Sequence, residues 1–90
     1  MTVYIDDYYA PYGGMRMCHM IADSHEELIQ MADRIGVQRK WLQAKGSYKE
    51  HFDVCATKRK AALICGAIPI TFIELGKKMI ERRAESKRKI

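Results

Sequence analysis

The chain has 90 residues, a formal net charge of +5 and 48% hydrophobic residues. This length predicts a single domain with a small core, and formation of a homo-oligomer would bury more apolar surface. There is no apolar run of about 18 residues and no basic start before an apolar block, so we expect neither a membrane span nor a secretory signal. We therefore expect a cytoplasmic protein.

The first part of the chain carries strand and turn signals. Residues 2–6 alternate Val and Ile with Tyr and Asp, which predicts a first strand. Residues 7–14 are predicted as a loop in which Pro11 and two glycines favour a chain reversal. Residues 15–22 are apolar on both faces, which predicts a central strand covered on both sides.

A helix follows this strand. Ser24 and Glu27 have the spacing of a capping box, which predicts a helix start. The helix should end at Gly36, and its apolar stripe is Leu28, Met31, Ala32 and Ile35. Residues 41–44 are then predicted as a short strand, and residues 45–50 as an exposed loop.

The second half predicts two more helices. Asp53 can cap a helix that runs to about Cys65, although His51 and Asp53 would share one face if this segment is extended. Residues 67–70 are predicted as an edge strand or an extended linker. Thr71 and Glu74 form a second capping box, which predicts a third helix. Residues 1–80 are thus expected to form a single α+β domain, in which two helices pack on a small mixed sheet of three to four strands. Residues 81–90 are expected to be a basic C-terminal helical extension.

Lys58 interrupts the apolar stripe of the second predicted helix. Its stem can lie along the core with the ammonium at the edge, or the ammonium can face a carboxylate or a ligand anion. Arg59 and Lys60 follow directly, near a helix N-terminal region where backbone amides favour anions. Phosphate is the anion that this cluster predicts.

The histidines also interrupt apolar or strand patterns. A lone histidine on an apolar strand face, such as His19, is usually a core residue with one ring nitrogen hydrogen-bonded. However, such interruptions tend to gather at functional sites. The residues that interrupt local patterns here are Asp6, His19, His51, Asp53 and Lys58.

Aromatic side chains lie close to these polar residues in sequence. Tyr8, Tyr9 and Tyr12 crowd the first loop, and Trp41 with Gln43 lies on the third predicted strand. Rings beside cations suit stacking on a nucleobase and binding of its phosphate. The alternative is that these rings complete a small core.

Metal binding and cofactors are not predicted. A zinc site could be assembled from Cys18, His19, His51 and Cys55, but there is no C-x-x-C, and neighbouring residues on a strand point to opposite faces. A magnesium site would need converging carboxylates, and the spacing of Asp6, Asp7 and Asp23 does not indicate convergence. All three cysteines lie in apolar patterns, so we expect free thiols of a reducing compartment.

Charge is unevenly distributed along the chain. Residues 1–56 carry six Lys or Arg and eight Asp or Glu, a balance of −2, whereas residues 57–90 carry ten and three, a balance of +7. The basic end favours an anionic partner such as nucleic acid, although a solvated basic helix is the alternative. The candidate nucleic-acid contacts are Arg82, Arg83, Lys87, Arg88 and Lys89.

Eight short segments over about residues 2–75 form a recognisable pattern, namely "VYIDD", "PYGG", "MRMCHMIAD", "EELIQMADRIG", "RKWLQ", "HFDV", "TKRKAAL" and "GA". In these segments the chain resembles a small, uncharacterised phage and bacterial family, a domain of unknown function. The basic C-terminal helix departs from the family pattern. The resemblance implies no reaction, but it implies a site built from Asp6, His19, Asp23, Trp41, Gln43, His51, Asp53, Lys58 and Arg59. Its phage context implies a role in manipulating the host from the host cytoplasm.

The leading functional hypothesis is a binding protein for a phosphorylated ligand, namely a nucleotide, a nucleotide-derived signal or nucleic acid. Lys58 and Arg59 would hold phosphate, His19 and His51 would form hydrogen bonds, and Trp41 or Tyr12 would stack. An alternative is an enzyme acting on nucleotide phosphoester or glycosidic bonds, with His19 or His51 as general base and Asp53 orienting it. A further alternative is a protein–protein interaction module that uses methionines and the basic helix.

Overall fold

The computed structural model describes residues 2–88, and Arg88 by its backbone alone. Over these residues the chain forms an α+β fold with a five-stranded mixed sheet and three α-helices, which confirms the predicted class with one strand more than the three to four expected. The strands are β1 Val3–Ile5, β2 Ala10–Tyr12, β3 Met15–Ala22, β4 Phe52–Cys55 and β5 Ile68–Pro69. The helices are α1 His25–Ile35, α2 Ala56–Ile64 and α3 Phe72–Arg88.

Strand β3 is the centre of the sheet. It pairs antiparallel with β1 and β2 along one edge and with β4 along the other, so Met20 lies opposite both Ile5 and Phe52. Strand β5 lies parallel to β1 at the edge of the sheet. Met20 and Ile21 point to opposite faces and are both 0% exposed, so the second half of β3 is covered on both sides as predicted, whereas Met15 and Arg16 at its start are exposed.

The chain between β1 and β2 forms a bulge. Ile5 lies opposite Met20 and Ala10 lies opposite Met17, so residues 6–9 face only two residues of β3. Gly13 and Gly14 then close the β2–β3 hairpin with φ values of 54° and 83°, as a two-residue hairpin turn requires. The stretch predicted as one loop is therefore a bulge, a strand and a tight turn.

Two apolar clusters lie on the two faces of the sheet. The larger cluster packs α1 and α2 on one face, and its fully buried members include Ile5, Met20 and Phe52. The smaller cluster packs the start of α3 on the other face through Ile21, Ile70 and Leu75. Burial of this apolar surface is the main stabilising contribution to a domain of this size.

Both predicted helix starts carry an N-cap hydrogen bond, and at Ser24 the Glu27 carboxylate accepts from the Ser24 hydroxyl at 3.0 Å. Ser24 Oγ accepts a hydrogen bond from the Glu27 amide at 3.2 Å, and Gly36 ends α1 with a φ of 80°. Thr71 Oγ1 accepts from the Glu74 amide at 3.1 Å. The Glu74 carboxylate in turn accepts from the Thr71 amide at 2.8 Å. The predicted starts of α1 and α3 are confirmed because each depends on residues only three positions apart.

Two local predictions are wrong. Residues 41–44 do not form a strand, because Arg39–Trp41 is a 3₁₀ turn and Gln43 makes a single bridge to His51. Asp53 does not cap α2, because it lies inside β4 opposite His19. Helix α2 instead begins after Cys55, which makes no side-chain cap hydrogen bond. Pairing with β3 keeps Asp53 in an extended strand, and its local sequence does not reveal that partner.

The basic C-terminal segment continues α3 without a break to Arg88. Lys87 and Arg83 are exposed and Arg82 is half-buried, while Lys89 lies outside the described residues. All three cysteines are free thiols, and Cys18 is buried. Among the helices that the structure describes, none combines the length and apolarity needed to cross a membrane.

Candidate functional site

The pairing of β3 with β4 brings three polar side chains together. His19 lies directly opposite Asp53 in the antiparallel register. His51 precedes Asp53 by two residues and therefore shares its face of the sheet. His19, His51 and Asp53 thus converge on the face that also carries the start of α3.

Asp6 positions His19 from inside the protein. Its side chain is 0% exposed, and Oδ2 lies 2.7 Å from His19 Nδ1 while Oδ1 accepts from the His19 amide at 2.7 Å. The Asp6 amide donates to the His19 carbonyl at 3.0 Å. The Asp6 carboxylate therefore takes the place of a backbone carbonyl in the strand ladder. Since an ionised carboxylate only accepts hydrogen bonds, His19 Nδ1 carries a proton and Nε2 points away from Asp6.

The electrostatics of this pair favour ionisation of both groups. Burial alone would raise the pKa of Asp6, but hydrogen bonds from the ring and amide of His19 outweigh burial and lower it. The hydrogen bond to Asp6 raises the pKa of His19 against the opposing effect of burial. The negative charges of Asp6 and Asp53 also raise the pKa of His19.

His51 and Asp53 are each oriented by one further partner. His51 Nδ1 lies 2.7 Å from the Lys49 carbonyl, which can only accept, so this nitrogen donates. Gln43 Nε2 donates to Asp53 Oδ2 at 2.7 Å. The other oxygen, Asp53 Oδ1, lies 3.3 Å from His51 Nε2 and 3.9 Å from His19 Nε2. One ligand atom from each of these three residues lies within 4.8 Å of the others, so this trio can hold a metal ion.

Aromatic rings enclose the other side of His19. The rings of Tyr8 and Phe72 stack with centroids 4.3 Å apart, and they lie 5.4 and 5.9 Å from the His19 ring. The Phe72 amide donates to Asp7 Oδ1 at 2.9 Å, which attaches the start of α3 to the bulge. His19 is left 25% exposed. The imidazole therefore has an apolar wall on one side and access to solvent on another.

A cleft of about 730 Å³ opens beside this cluster. Its walls include the exposed rings of Tyr12 and Trp41, and its polar part includes His19 and Asp53. Volumes of this size accommodate small molecules. The sequence-predicted residues that line the cleft are Tyr12, His19, Trp41, Gln43, Asp53 and Lys58.

The two predicted phosphate-binding cations contact different parts of the fold. Lys58 lines the cleft, and its ammonium donates to the Ile35 carbonyl at the end of α1 at 2.8 Å. Arg59 Nε donates to the Asp6 carbonyl at 2.8 Å, and its guanidinium lies over the ring of Tyr9. Arg59 therefore supports the bulge, and the structure does not place it beside Lys58 in the cleft.

Asp23 is separated from the cluster. It follows β3 in an exposed bend, and its amide donates to the Thr2 carbonyl at 3.0 Å. Four residues of strand, about 13 Å, separate it from His19. Its observed role is in the turn between β3 and α1.

Sequence reasoning missed Asp7 and Phe72 as neighbours of the site. Their hydrogen bond joins residues 65 positions apart, and neither residue interrupts a local pattern. It also missed the role of the Lys49 carbonyl, since a backbone acceptor leaves no signal in residue identity. No short-range feature of the sequence identifies these contacts.

Comparison with family models identifies the family of the chain. The model described as Protein of unknown function (DUF4031) matches residues 3–83. The chain belongs to this family. The DUF4031 match runs from β1 into α3 and includes Asp6, His19, His51 and Asp53, and it extends beyond residue 75, where the resemblance was expected to stop. Comparison with curated proteins found no match, and neither did comparison with solved structures.

Proposed function

We propose that this DUF4031 protein binds a small phosphorylated ligand of the nucleotide class in the cleft beside β3 and β4. The observation that carries the proposal is the presence of exposed aromatic rings, an imidazole and a lysine in the lining of one cleft. A nucleotide presents an aromatic base and an anionic phosphate, which are the complements of those groups.

The aromatic part of the cleft suits a base. Tyr12 is 69% exposed and Trp41 is 60% exposed, so both rings have free surface on which a base can stack. Stacking of a base on one aromatic side chain contributes on the order of 1–3 kcal/mol. An exposed ring of this size in a cleft favours ligand binding over a role in the core.

The polar part of the cleft suits a phosphate. The Lys58 ammonium has three donors and uses one on the Ile35 carbonyl, so two remain for an anion. His19 Nε2 and the Gln43 amide supply further polar groups. Asp53 lies in the same lining and repels an anion unless its charge is compensated, so its pairing with the histidines is part of the proposal.

Intrinsic fluorescence gives a direct binding test, because Trp41 is the single tryptophan of the chain. We expect saturable quenching on titration with the four ribonucleoside 5′-monophosphates. Binding should weaken about tenfold for the matching nucleosides, which lack phosphate, and again in about 0.5 M salt. Equal responses with and without phosphate, or no saturable response to any of these compounds, would contradict the proposal.

A pair of lysine variants tests the role of the cleft. Lys58→Met keeps most of the side-chain stem but removes the ammonium, and we expect it to weaken monophosphate binding about tenfold or more. Lys60→Met is the matched control, since Lys60 is exposed on the same helix and does not line the cleft. Equal monophosphate affinities in the two variants would show that the Lys58 ammonium does not contribute to binding.

A second candidate function is hydrolysis of a nucleotide phosphoester or glycosidic bond. The specific observation in its favour is the buried Asp6 carboxylate, which orients His19 so that Nε2 is available as a general base. We expect His19→Asn to abolish product formation from nucleotide substrates in a chromatographic assay, with His25→Asn as the control. Binding without product in the wild-type protein would favour the ligand-binding function alone.

We further propose that the protein is located in the cytoplasm, or in the host cytoplasm for a phage-encoded copy. Three free thiols support a reducing compartment. Nucleotides are abundant there. Fractionation of cells that express the tagged protein tests this location directly.

A further inference from the structure

We infer that His19, His51 and Asp53 form a binding site for one divalent transition-metal ion, for which zinc is the best chemical match. The site consists of His19 Nε2, His51 Nε2 and Asp53 Oδ1, which belong to β3, to the residue before β4 and to β4. This inference concerns the metal ion alone and does not depend on the phosphorylated ligand proposed above.

The spacing of the three atoms approaches that of zinc ligands. Zinc bonds of about 2.0–2.1 Å place neighbouring ligand atoms in a tetrahedron about 3.3 Å apart. The distance from Asp53 Oδ1 to His51 Nε2 is 3.3 Å, and that to His19 Nε2 is 3.9 Å. Small rotations of side chains that are 20–38% exposed suffice to close the remaining gap.

Each candidate ligand is held by a second partner on its other atom. His19 Nδ1 donates to Asp6, and His51 Nδ1 donates to the Lys49 carbonyl. The second oxygen of Asp53 accepts from Gln43. Metal-bound histidines have this pattern, because a carboxylate or carbonyl on one ring nitrogen fixes the tautomer and directs the lone pair of the other at the metal.

Three hydrogen-bond acceptors converge at this site, and a cation between them would offset their mutual repulsion. With both Nδ1 atoms protonated, a neutral ring presents a lone pair at Nε2, so two nitrogen lone pairs face one carboxylate oxygen. These acceptors repel one another unless cations lie between them. Two protons, one on each Nε2, would leave both rings charged, whereas one metal ion binds all three atoms and leaves both rings neutral.

The ligand types select the class of metal. Two imidazoles and one carboxylate suit zinc and the other first-row transition metals, whereas magnesium and calcium prefer sets made of oxygen. Three protein ligands leave at least one coordination position free, and His19 and Asp53 both line the cleft. Water or an anionic ligand in the cleft would complete the coordination.

The test uses metal titration of chelator-treated full-length protein. We expect one Zn²⁺ per chain by calorimetry and native mass spectrometry, and a Co²⁺ complex whose visible spectrum indicates four or five ligands with nitrogen and oxygen donors. His51→Asn and Asp53→Asn should each weaken Zn²⁺ binding at least tenfold. His25→Asn, outside the trio, should bind like the wild type.

The second partner of His19 gives an additional readout. Asp6→Asn should weaken Zn²⁺ binding about 10–100-fold, because it removes the carboxylate that orients the ring. Circular dichroism identifies any variant that fails to fold. If Asp6→Asn does not fold, the Zn²⁺ affinity of Asp53→Asn, a variant at a partly exposed position, tests the inference. Absence of stoichiometric Zn²⁺ and Co²⁺ binding in the wild type would overturn the inference, as would unchanged affinity in both His51→Asn and Asp53→Asn.

Discussion

At the scale of single residues, Asp6 connects the fold to the site. Its side chain is fully buried, yet the carboxylate accepts two hydrogen bonds from His19, and the Asp6 backbone carbonyl accepts one from Arg59. A buried carboxylate is stable only when its oxygens are satisfied in this way. One side chain thus closes the bulge and orients the imidazole.

Asp6→Asn should lower the free energy of unfolding of the metal-free protein by about 2–4 kcal/mol near pH 6. The Asn side chain cannot carry the charge that pairs with protonated His19. Chemical denaturation of the two proteins measures the difference. Asp23→Asn, in an exposed bend, is the control, with an expected change below about 0.5 kcal/mol.

The pH dependence of that difference follows from the two pKa shifts. The pKa of His19 is raised above 6.5, so its contribution is fully present below about pH 6.5 and is lost as pH rises through the folded-state pKa. The pKa of Asp6 is lowered below 3.8, so its contribution is present above that value and is lost as pH falls through the folded-state pKa. The stability difference should therefore be largest between about pH 4 and 6.5. A difference that grows from pH 6.5 to 9 would contradict the charge pairing.

At the scale of elements, the end of α1 meets the start of α2. Gly36 ends α1 in the left-handed region, and the Lys58 ammonium from α2 binds the last turn of α1 through the Ile35 carbonyl. A cation at a helix C-terminus is favourable because the carbonyls there are unsatisfied and carry partial negative charge. This contact also brings Lys58 to the cleft.

Two glycine substitutions should change stability in opposite directions. Gly36→Ala should destabilise by about 1–2 kcal/mol, because Gly36 has a φ of +80° and an added Cβ would lie 3.1 Å from Lys58 Nζ. Gly76→Ala lies inside α3, where an added Cβ meets nothing within 4 Å, so it should stabilise by about 0.5–1 kcal/mol. Urea denaturation of both variants measures these signs. Equal effects would show that the left-handed cap is not required.

At the scale of the whole molecule, the basic, exposed residues and the buried, apolar residues of α3 lie at opposite ends of the helix. The last part of α3 is mostly exposed and carries Arg83 and Lys87, whereas the part near Leu75 packs on the sheet. Exposed basic helices bind polyanions through a sequence-independent, salt-sensitive contribution. Homo-oligomerisation of the chain stays a prediction, and so does nucleic-acid binding by the basic end of α3.

Removal of residues 81–90 should leave the fold intact and reduce non-specific DNA binding. The segment carries five Lys or Arg and two Glu, so truncation removes a net charge of +3. We expect the full chain to bind a duplex with a log affinity that falls linearly with log salt, and the truncated chain to show a shallower slope. Fluorescence anisotropy at several salt concentrations measures the slopes. If both slopes are equal, residues 81–90 do not contribute to DNA binding.

Whether this end of α3 instead recruits a protein partner is tested with the same truncated chain. Loss of a defined partner complex on truncation, with nucleotide and DNA binding unchanged, would favour the interaction-module hypothesis. The methionine-containing strand face would then be the second surface to examine by substitution.

The sequence by itself determined the elements whose signals are local. Ser24 with Glu27, Thr71 with Glu74, and Gly36 each act over about one helical turn, so they predicted where α1 and α3 begin and where α1 ends. The apolar run of β3 predicted a central strand for the same reason. These signals depend on few neighbours, and tertiary contacts did not override them.

Only the tertiary structure decided which polar residues form the site. Asp53 looked like a helix cap until β4 paired with β3 and placed it opposite His19, and Arg59 was separated from Lys58 by its hydrogen bond to the bulge. The trio of His19, His51 and Asp53 depends on the register between strands far apart in the chain. A shift of one residue would turn His51 and Asp53 to the other face, and no local pattern in a single sequence specifies that register.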